Sequence, residues 1–355
     1  MYRVALIPPE QWIPNAKAFV KGERPDVYSI YDDMRAIHGV DIVFVDPHAF
    51  PLNPLARMHP VYRGLDVLRT LKLLFKLRSY DAVFSVFESS PTLLLLLRSL
   101  FRFKIPIGMW DIAPDEKWAI RRKIQDIVVP RIDKVMSLSS AQVAYAENRW
   151  KAGHKFSVIW QHVDTDFFTP MAAQPSGPIL AIGDDHGRDW ETFIEAIAPL
   201  DVEVILKTRK DIKIPANARC RITQIKDRIS FPELRALYGA CSFVVIPLRQ
   251  TLNVSGVGSI LEAMAMGKAI VLNNNKPILD YVIHGETAEV VAVGNSNALR
   301  QAIVALKNDP ERSAKLGNAG RTRAVQLYSP KAFSQRLAEE IKAMILEYNK
   351  PPNDS

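Results

Sequence analysis

The chain has only two cysteines, Cys220 and Cys241, in 355 residues. Two thiols without metal-ligand spacing supply no disulfide framework, and their scarcity fits a reducing cytosol. Long apolar runs are missing as well. The most apolar stretch, Pro91 to Leu97, is followed by Arg98, Arg102 and Lys104, and it is far short of the roughly 20 apolar residues a spanning helix needs. Met1 to Pro8 lacks the apolar core of a secretory signal, so a cytoplasmic protein is expected. No His/Cys cluster is present, so no metal is expected. Charge is only mildly one-sided, with 46 basic and 38 acidic residues and a formal net charge of +8. That balance suits an anionic ligand or surface and is too small to imply nucleic acid, for which no basic-aromatic module is present either.

What the sequence does contain is an alternation of short apolar runs and segments at helical spacing. Arg3 to Ile7 reads as a first buried strand, closed by Pro8 and Pro9, with a loop to Pro14. Asp26 to His38 reads as a helix, and Asp41 to Val45 as a strand. Val61 to Leu77 reads as an amphipathic helix. Leu65, Leu68, Leu71 and Leu74/Phe75 form its apolar stripe, and Arg63, Arg69, Lys72, Lys76 and Arg78 its solvated face. Strands follow at Ala82 to Phe87, Ile105 to Trp110, Lys134 to Leu138 and Val158 to Trp160. Between them lie helices at Pro91 to Phe101, Trp118 to Val129 and Ala141 to Trp150. Pro175-Ser-Gly-Pro178 has a linker composition. A second series has strands at Ile179 to Ile182, Val202 to Leu206, Arg219 to Ile222, Phe243 to Ile246, Ala269 to Leu272 and Ala288 to Val293. Helices at Asn297 to Lys307, Pro310 to Leu327 and Pro330 to Tyr348 end it. This alternation predicts an α/β protein with mostly parallel, doubly wound sheets. The length has room for two domains, 1–170 and 171–330, followed by 331–355 as a last helix with a disordered tail from Asn349.

The second series centres on Asn253-Val-Ser-Gly-Val-Gly-Ser-Ile-Leu-Glu262. A strand ends at Pro247, a small-residue loop follows, and a run of good helix formers begins at Ser259. Ser255, Gly256, Val257 and Gly258 let backbone N–H groups at the helix mouth approach a ligand, and such a mouth attracts phosphate. Glu262, a turn further on, is placed to accept hydrogen bonds from sugar or ribose hydroxyls. The plainer reading is an ordinary βαβ turn with a solvated Glu262. Arg188, in the loop opened by Gly183, can neutralise the charge of a departing diphosphate. Its plainer reading is a surface arginine paired with Asp184 or Asp185. Lys207 ends a strand and is a further candidate for the same crevice.

Leu261-Glu-Ala-Met-Ala-Met-Gly-Lys-Ala-Ile-Val271 and Ile278-Leu-Asp-Tyr-Val-Ile-His-Gly285 resemble the donor-site region of glycosyltransferase family 4, among the group 1 glycosyltransferases. Ile182 to Ala196 is similar to that family's first donor-domain strand and loop, and Phe231 to Pro247 to the helix and strand before the Glu-bearing loop. Gln161 to Pro170 is similar to its interdomain segment. The resemblance implies the GT-B fold, two Rossmann-like domains facing a central cleft, and a retaining enzyme. It implies that Arg188 takes the place of the donor-phosphate lysine and that Glu262 contacts the nucleoside ribose. Two departures stand out. The family's usual Glu-x7-Glu has Val254 at its first position, flanked by Asn253 and Ser255. Where many relatives carry an acceptor-site histidine, this chain has Trp110-Asp111. Asp111 is thus a candidate for accepting the acceptor's proton, and equally a helix cap or loop carboxylate.

Asp164-Thr-Asp166 has the form of a metal-binding pair, but that motif serves a different glycosyltransferase fold. The resulting expectation is a metal-independent enzyme without cofactor. A nucleotide-sugar would be the co-substrate and a glycan or lipid-linked hydroxyl the acceptor, with an anionic membrane surface as a possible partner of the basic helices. The alternative is a catalytically silent nucleotide-sugar-binding protein.

Overall fold

The computed structural model describes residues 1–17, 19–58, 62, 64–111, 114, 118–172 and 174–350. The chain forms two compact units, residues 1–19, 28–159 and 333–355, and residues 20–27 and 160–332.

In the first unit, β1 (Tyr2–Ile7) leads to a short α1 (Trp12–Lys17) and α2 (Ser29–Ala36). Then come β2 (Val40–Phe44), α3 (Val67–Phe75), β3 (Ala82–Ser85), α4 (Thr92–Phe101), β4 (Ile107–Trp110), α5 (Ala119–Val128), β5 (Lys134–Ser137), α6 (Ser140–Trp150) and β6 (Phe156–Val158). The sheet order is β2-β1-β3-β4-β5-β6. All its pairings are parallel, with Val4 opposite Ile42 on one side and Ala82 on the other. A parallel strand covered on both faces needs a continuous apolar run, and Val4, Ala5, Leu6 and Ile7 are all buried.

Three sequence expectations shift here. The loop expected through Pro14 contains α1, because a proline in the first helical turn gives up no intrahelical bond. The continuous helix expected over 61–77 is broken at residues 64–66, and α3 starts at Val67, where Asp66 caps it by accepting from Arg69 N at 3.0 Å; Val61 and Arg63 lie outside the described residues. Its buried stripe is also rotated from the expected one: Lys72, Lys76 and Arg78 are exposed as expected and Leu74 packs on the core, but Leu73 and Arg69 take the innermost places. Arg69, assigned to solvent, is 1% exposed, while Leu71 and Phe75 are 43% and 91% exposed. Arg69 tolerates burial because Nη1 and Nη2 donate to the carbonyls of Pro8 at 2.6 Å and Gly64 at 2.7 Å.

In the second unit, β7 (Ile179–Ile182), α7 (Trp190–Ile197), β8 (Glu203–Lys207), β9 (Arg221–Ile225), α8 (Phe231–Ala240), β10 (Val244–Ile246), α9 (Val257–Ala265), β11 (Ile270–Asn273) and β12 (Glu289–Val291) precede α10 (Ser296–Asn308) and α11 (Pro310–Leu327). The strand expected at 219–222 begins two residues later, after a turn that Ala218 N closes on Pro215 O. The sheet order is β12-β11-β10-β7-β8-β9, again parallel throughout. From β7 the chain winds outward through β8 and β9, then returns to place β10 on the other side of β7. The winding direction therefore reverses between β7 and β10, and ligands of open α/β sheets bind at the carboxyl ends of such a pair. The last helix, α12 (Pro330–Tyr348), packs from Phe333 onward against Val4, Leu6, Phe84 and Met136 of the first unit.

Candidate functional site

Two loops leave the reversal point of the second sheet, 183–189 after β7 and 247–256 after β10. They are tied to each other by backbone bonds. Asp189 N donates to Pro247 O at 3.1 Å, and Arg249 N donates to Gly187 O at 2.8 Å. Arg188 and Leu248 form an isolated antiparallel bridge. The loops thus make one platform in front of α9.

Arg188 lies at the centre of it, 3% exposed. Nη2 donates to Ser259 Oγ, on the first turn of α9, at 3.0 Å. Nε and Nη1 are buried and make no hydrogen bond, and Asp185 Oδ2 stands 3.5 Å from Nε. The plainer reading of Arg188 as a surface residue is therefore excluded, although its pairing with Asp185 is present. Burial pulls the guanidinium below its usual range and Asp185 opposes the pull; an arginine keeps its charge in either case. Space for the guanidinium comes from two glycines. A Cβ on Gly183 would collide with Nε and one on Gly256 with Nη1. Both have positive φ, +142° and +85°, which side chains with a Cβ rarely adopt.

Gly256 is also the N-cap of α9. The N–H groups of Gly258 and Ser259 have no acceptor among the described residues, as the first turn of a helix dictates. A Cβ on Gly258 would meet open space, so backbone there is approachable. Val257 N reaches back to Val254 O at 3.4 Å. Asn253 and Ser255 stand in the approaching loop. Asn253 Oδ1 is buried without a hydrogen bond, and Ser255 Oγ is 3.4 Å from Thr251 Oγ1.

Glu262 is on the same helix, one turn beyond Ser259. It is partly buried, and its Oε2 accepts from the hydroxyl of the fully buried Tyr238 at 2.8 Å. Burial pushes the carboxyl up to about 7, against the Tyr238 hydrogen bond and the Arg188 charge. The plainer reading, a solvated helix carboxylate, leaves out the Tyr238 hydroxyl and the Arg188 charge beside it. Gly183, Arg188, Gly256, Ser259 and Glu262 are thus brought together. Lys207, at the end of β8, is 8% exposed and joins them through its backbone, accepting from Gly183 N at 3.1 Å.

Sequence reasoning passed over two members of this cluster. Ser259 was findable, because it lies three residues before Glu262 on one helix face. Tyr238 was not, since nothing in the local pattern separates it from the apolar residues around it.

Asp111 stands in the other unit, directly after β4. It is left-handed at φ +62°, and its Oδ1 accepts from Gln142 Nε2 at 2.9 Å. Gln142 is itself fixed by the N–H groups of Leu138 at 2.7 Å and Ser139 at 3.1 Å. The carboxylate thus sits on a left-handed residue at the end of β4, oriented by Gln142. Asp164 turns its Oδ1 to the N–H groups of Asp166 and Phe167, both at 3.0 Å, and its Oδ2 to Asp26 N at 2.7 Å. These are turn contacts. Asp184 accepts from Thr208 Oγ1, Arg209 N and Arg209 Nε; burial alone would raise it, and these bonds outweigh burial and hold it low. Among the described residues no three His, Cys, Asp or Glu side chains converge as metal ligands.

The family described as glycosyl transferases group 1 matches residues 223–323, the stretch that carries α8, α9 and the Glu262 loop. The resemblance to group 1 glycosyltransferases read from the sequence is borne out over that stretch. An alpha-maltose-1-phosphate synthase of Mycobacterium tuberculosis is 27% identical over 207 residues, which cover 48% of this chain and 52% of that protein. The chain thus spans about half the length of the curated relatives it matches first. A sucrose-phosphate synthase of Thermosynechococcus elongatus is similar in structure across 98% of this chain and all of its own, at 18% identity and a TM-score of 0.74. An Anabaena protein, HepE, solved in complex with UDP-glucose, matches 97% of this chain and all of its own at 14% identity and a TM-score of 0.66. The α/β GT-B fold is shown: two parallel six-stranded sheets with flanking helices.

Proposed function

We propose that this protein is a retaining glycosyltransferase of the family 4 type, moving a sugar from a nucleotide-sugar donor to a hydroxyl of a glycan or lipid-linked acceptor. One observation carries the reading. At the reversal point of the second sheet, a buried arginine keeps two guanidinium nitrogens without hydrogen bonds beside the free N–H groups of a helix mouth. Buried donors normally find partners, so this set is built for an acceptor that arrives from outside. A nucleoside diphosphate supplies it. The presence of UDP-glucose in the HepE complex and the group 1 match over the same loop support that choice.

In this reading Arg188, the α9 N–H groups and Lys207 stabilise the charge that grows on the departing diphosphate. Removing one such donor typically costs about 10²–10³ in turnover. Glu262 accepts from ribose hydroxyls and is oriented by Tyr238. Asp111, fixed by Gln142, holds or deprotonates the acceptor hydroxyl. The leaving phosphate takes part in that proton transfer, so no protein nucleophile and no metal are required.

Val254, in place of a carboxylate, favours a second reading: a nucleotide-sugar-binding protein that performs no transfer. Incubation with UDP-, GDP- and ADP-sugars, with and without EDTA, separates the two. Nucleotide release that survives EDTA is expected for at least one donor. Binding without release would favour the silent protein, and release abolished by EDTA and restored by Mg²⁺ or Mn²⁺ would contradict metal independence.

The acceptor reading extends to a surface. No helix among the described residues is long and apolar enough to cross a membrane. Leu71 and Phe75 on α3 and Leu100 and Phe101 on the adjoining α4 are nevertheless 43%, 91%, 71% and 67% exposed. Lys72, Lys76 and Arg102 lie on or just beyond these helices and are exposed, and neither helix contains Asp or Glu. Apolar side chains among cations fit the headgroup layer of an anionic membrane on its cytosolic side.

A further inference from the structure

The first unit holds a cavity that the donor reading does not use. Residues 45–58 follow β2 without helix or strand. Irregular stretches beyond about 12 residues inside a compact unit are usually binding loops. This loop and the segment after β1 enclose about 490 Å³ at the carboxyl ends of β1 and β2, the ligand side of a parallel sheet. The winding of the first sheet reverses between β1 and β3, so the cavity lies beside the reversal point and not in it.

The loop is held in shape from below. Oδ2 of the buried Asp66 accepts from His48 N at 2.6 Å and lies 3.0 Å from His48 Nδ1, while Lys72 Nζ is 2.7 Å from Nε2. With Lys72 donating to Nε2, the imidazole proton sits on Nδ1 toward Asp66, and the ring is fixed in plane. Asn53, 2% exposed, accepts from Leu55 N at 3.1 Å and closes the turn. Arg57 stacks over Phe50 at 4.3 Å from the ring centre.

The lining combines planar hydrogen-bonding groups with an aromatic ring. Glu10, Gln11, Asn15 and Arg57 offer carboxylate, amide and guanidinium planes, and Phe50 is 52% exposed; His48, with both ring nitrogens engaged by Asp66 and Lys72, only shapes the wall. Planar groups of this kind pair with neighbouring hydroxyls, and an aromatic ring packs on the C–H face of a pyranose. Glu10 opposes the charge of Arg57, so the site does not select an anion. We propose that this cavity is a carbohydrate subsite for neutral sugar units of a glycan, away from the hydroxyl that reacts. It rests on the glycosyltransferase reading for its purpose and not for its measurement.

Saturation-transfer NMR on the whole chain without nucleotide tests it, with maltotriose, α-linked mannotriose and chitotriose as probes, and calorimetry with inorganic phosphate runs beside it. Transfer to at least one trisaccharide is expected, with affinity about tenfold weaker in both Gln11→Ala and Arg57→Ala. Both side chains are exposed, so folding is not at stake. Calorimetric binding of UDP, GDP or ADP stays unchanged in both variants. No transfer to any trisaccharide, transfer undiminished in the variants, or phosphate as the sole ligand would each overturn the subsite. Trisaccharide binding in a protein that takes up no nucleotide would sink the donor reading and leave the subsite standing.

Discussion

At the scale of single residues, the site is defined by polar groups whose partners are few and buried. Glu262 shows the consequence most clearly. Its carboxyl titrates near 7 in the folded protein against an ordinary value of 4.5, chiefly because burial disfavours the charge. The folded state therefore holds a proton that the unfolded state has released between these two values. Stability is highest below about pH 4.5 with respect to this group, falls as pH rises through about 7, and is level above that, a span on the order of 3 kcal/mol. Glu262→Gln removes this slope. Urea unfolding of both proteins at several pH values checks it: the variant's advantage should grow from pH 5 to pH 8, and an advantage independent of pH would contradict the environment assigned to Glu262. Legibility at this scale was uneven. Arg188 and Glu262 stood out because a charge beside small residues at a helix mouth has a specific use. Tyr238 could not be read, since its role depends on a partner 24 positions away that only the packing of α8 against α9 supplies.

At the scale of elements, the loop from β10 to α9 carries the most information per residue. Gly256 serves two constraints at once, a left-handed cap and contact with Arg188 Nη1. Gly256→Ala is expected to destabilise the fold by about 1–2 kcal/mol through the positive φ alone. It should also weaken nucleotide binding by displacing the guanidinium. Thermal unfolding and calorimetry on one preparation separate the effects, and unaltered nucleotide affinity would mean that Arg188 does not act from this position. This loop was legible because strand, breaker and helix formers follow one another within a few positions. The helix α3 was less so. Helical spacing identified the element but not which stripe faces inward, because Arg69 finds two carbonyl acceptors and can join Leu73 on the buried side. The leucines and Phe75 left outside give a testable surface. Flotation with anionic liposomes at low salt should carry the protein, high salt should release it, and Phe75→Ser with Leu100→Ser should reduce it. Binding to neutral and anionic vesicles alike would contradict the electrostatic part of this account.

At the scale of the whole chain, two parallel sheets arise from one repeated rule, a short buried strand followed by a helix that returns over the sheet. The rule is written in local apolar runs, which is why the α/β class could be read directly. Strand order could not be read from those runs, because it depends on which neighbours each strand finds. That order is what puts the loops after β7 and β10 side by side and so makes a site from residues seventy positions apart. The central claim is that this junction holds a nucleoside diphosphate through Arg188. Isothermal titration of UDP, GDP and ADP into the wild-type protein and Arg188→Ala tests it most directly. The account predicts saturable binding of at least one of the three to the wild type, weakened about tenfold or more in the variant, as loss of a charge-assisted contact worth roughly 1.5–3 kcal/mol requires. Equal affinity in the two proteins, or no binding of any of the three to the wild type, would contradict it.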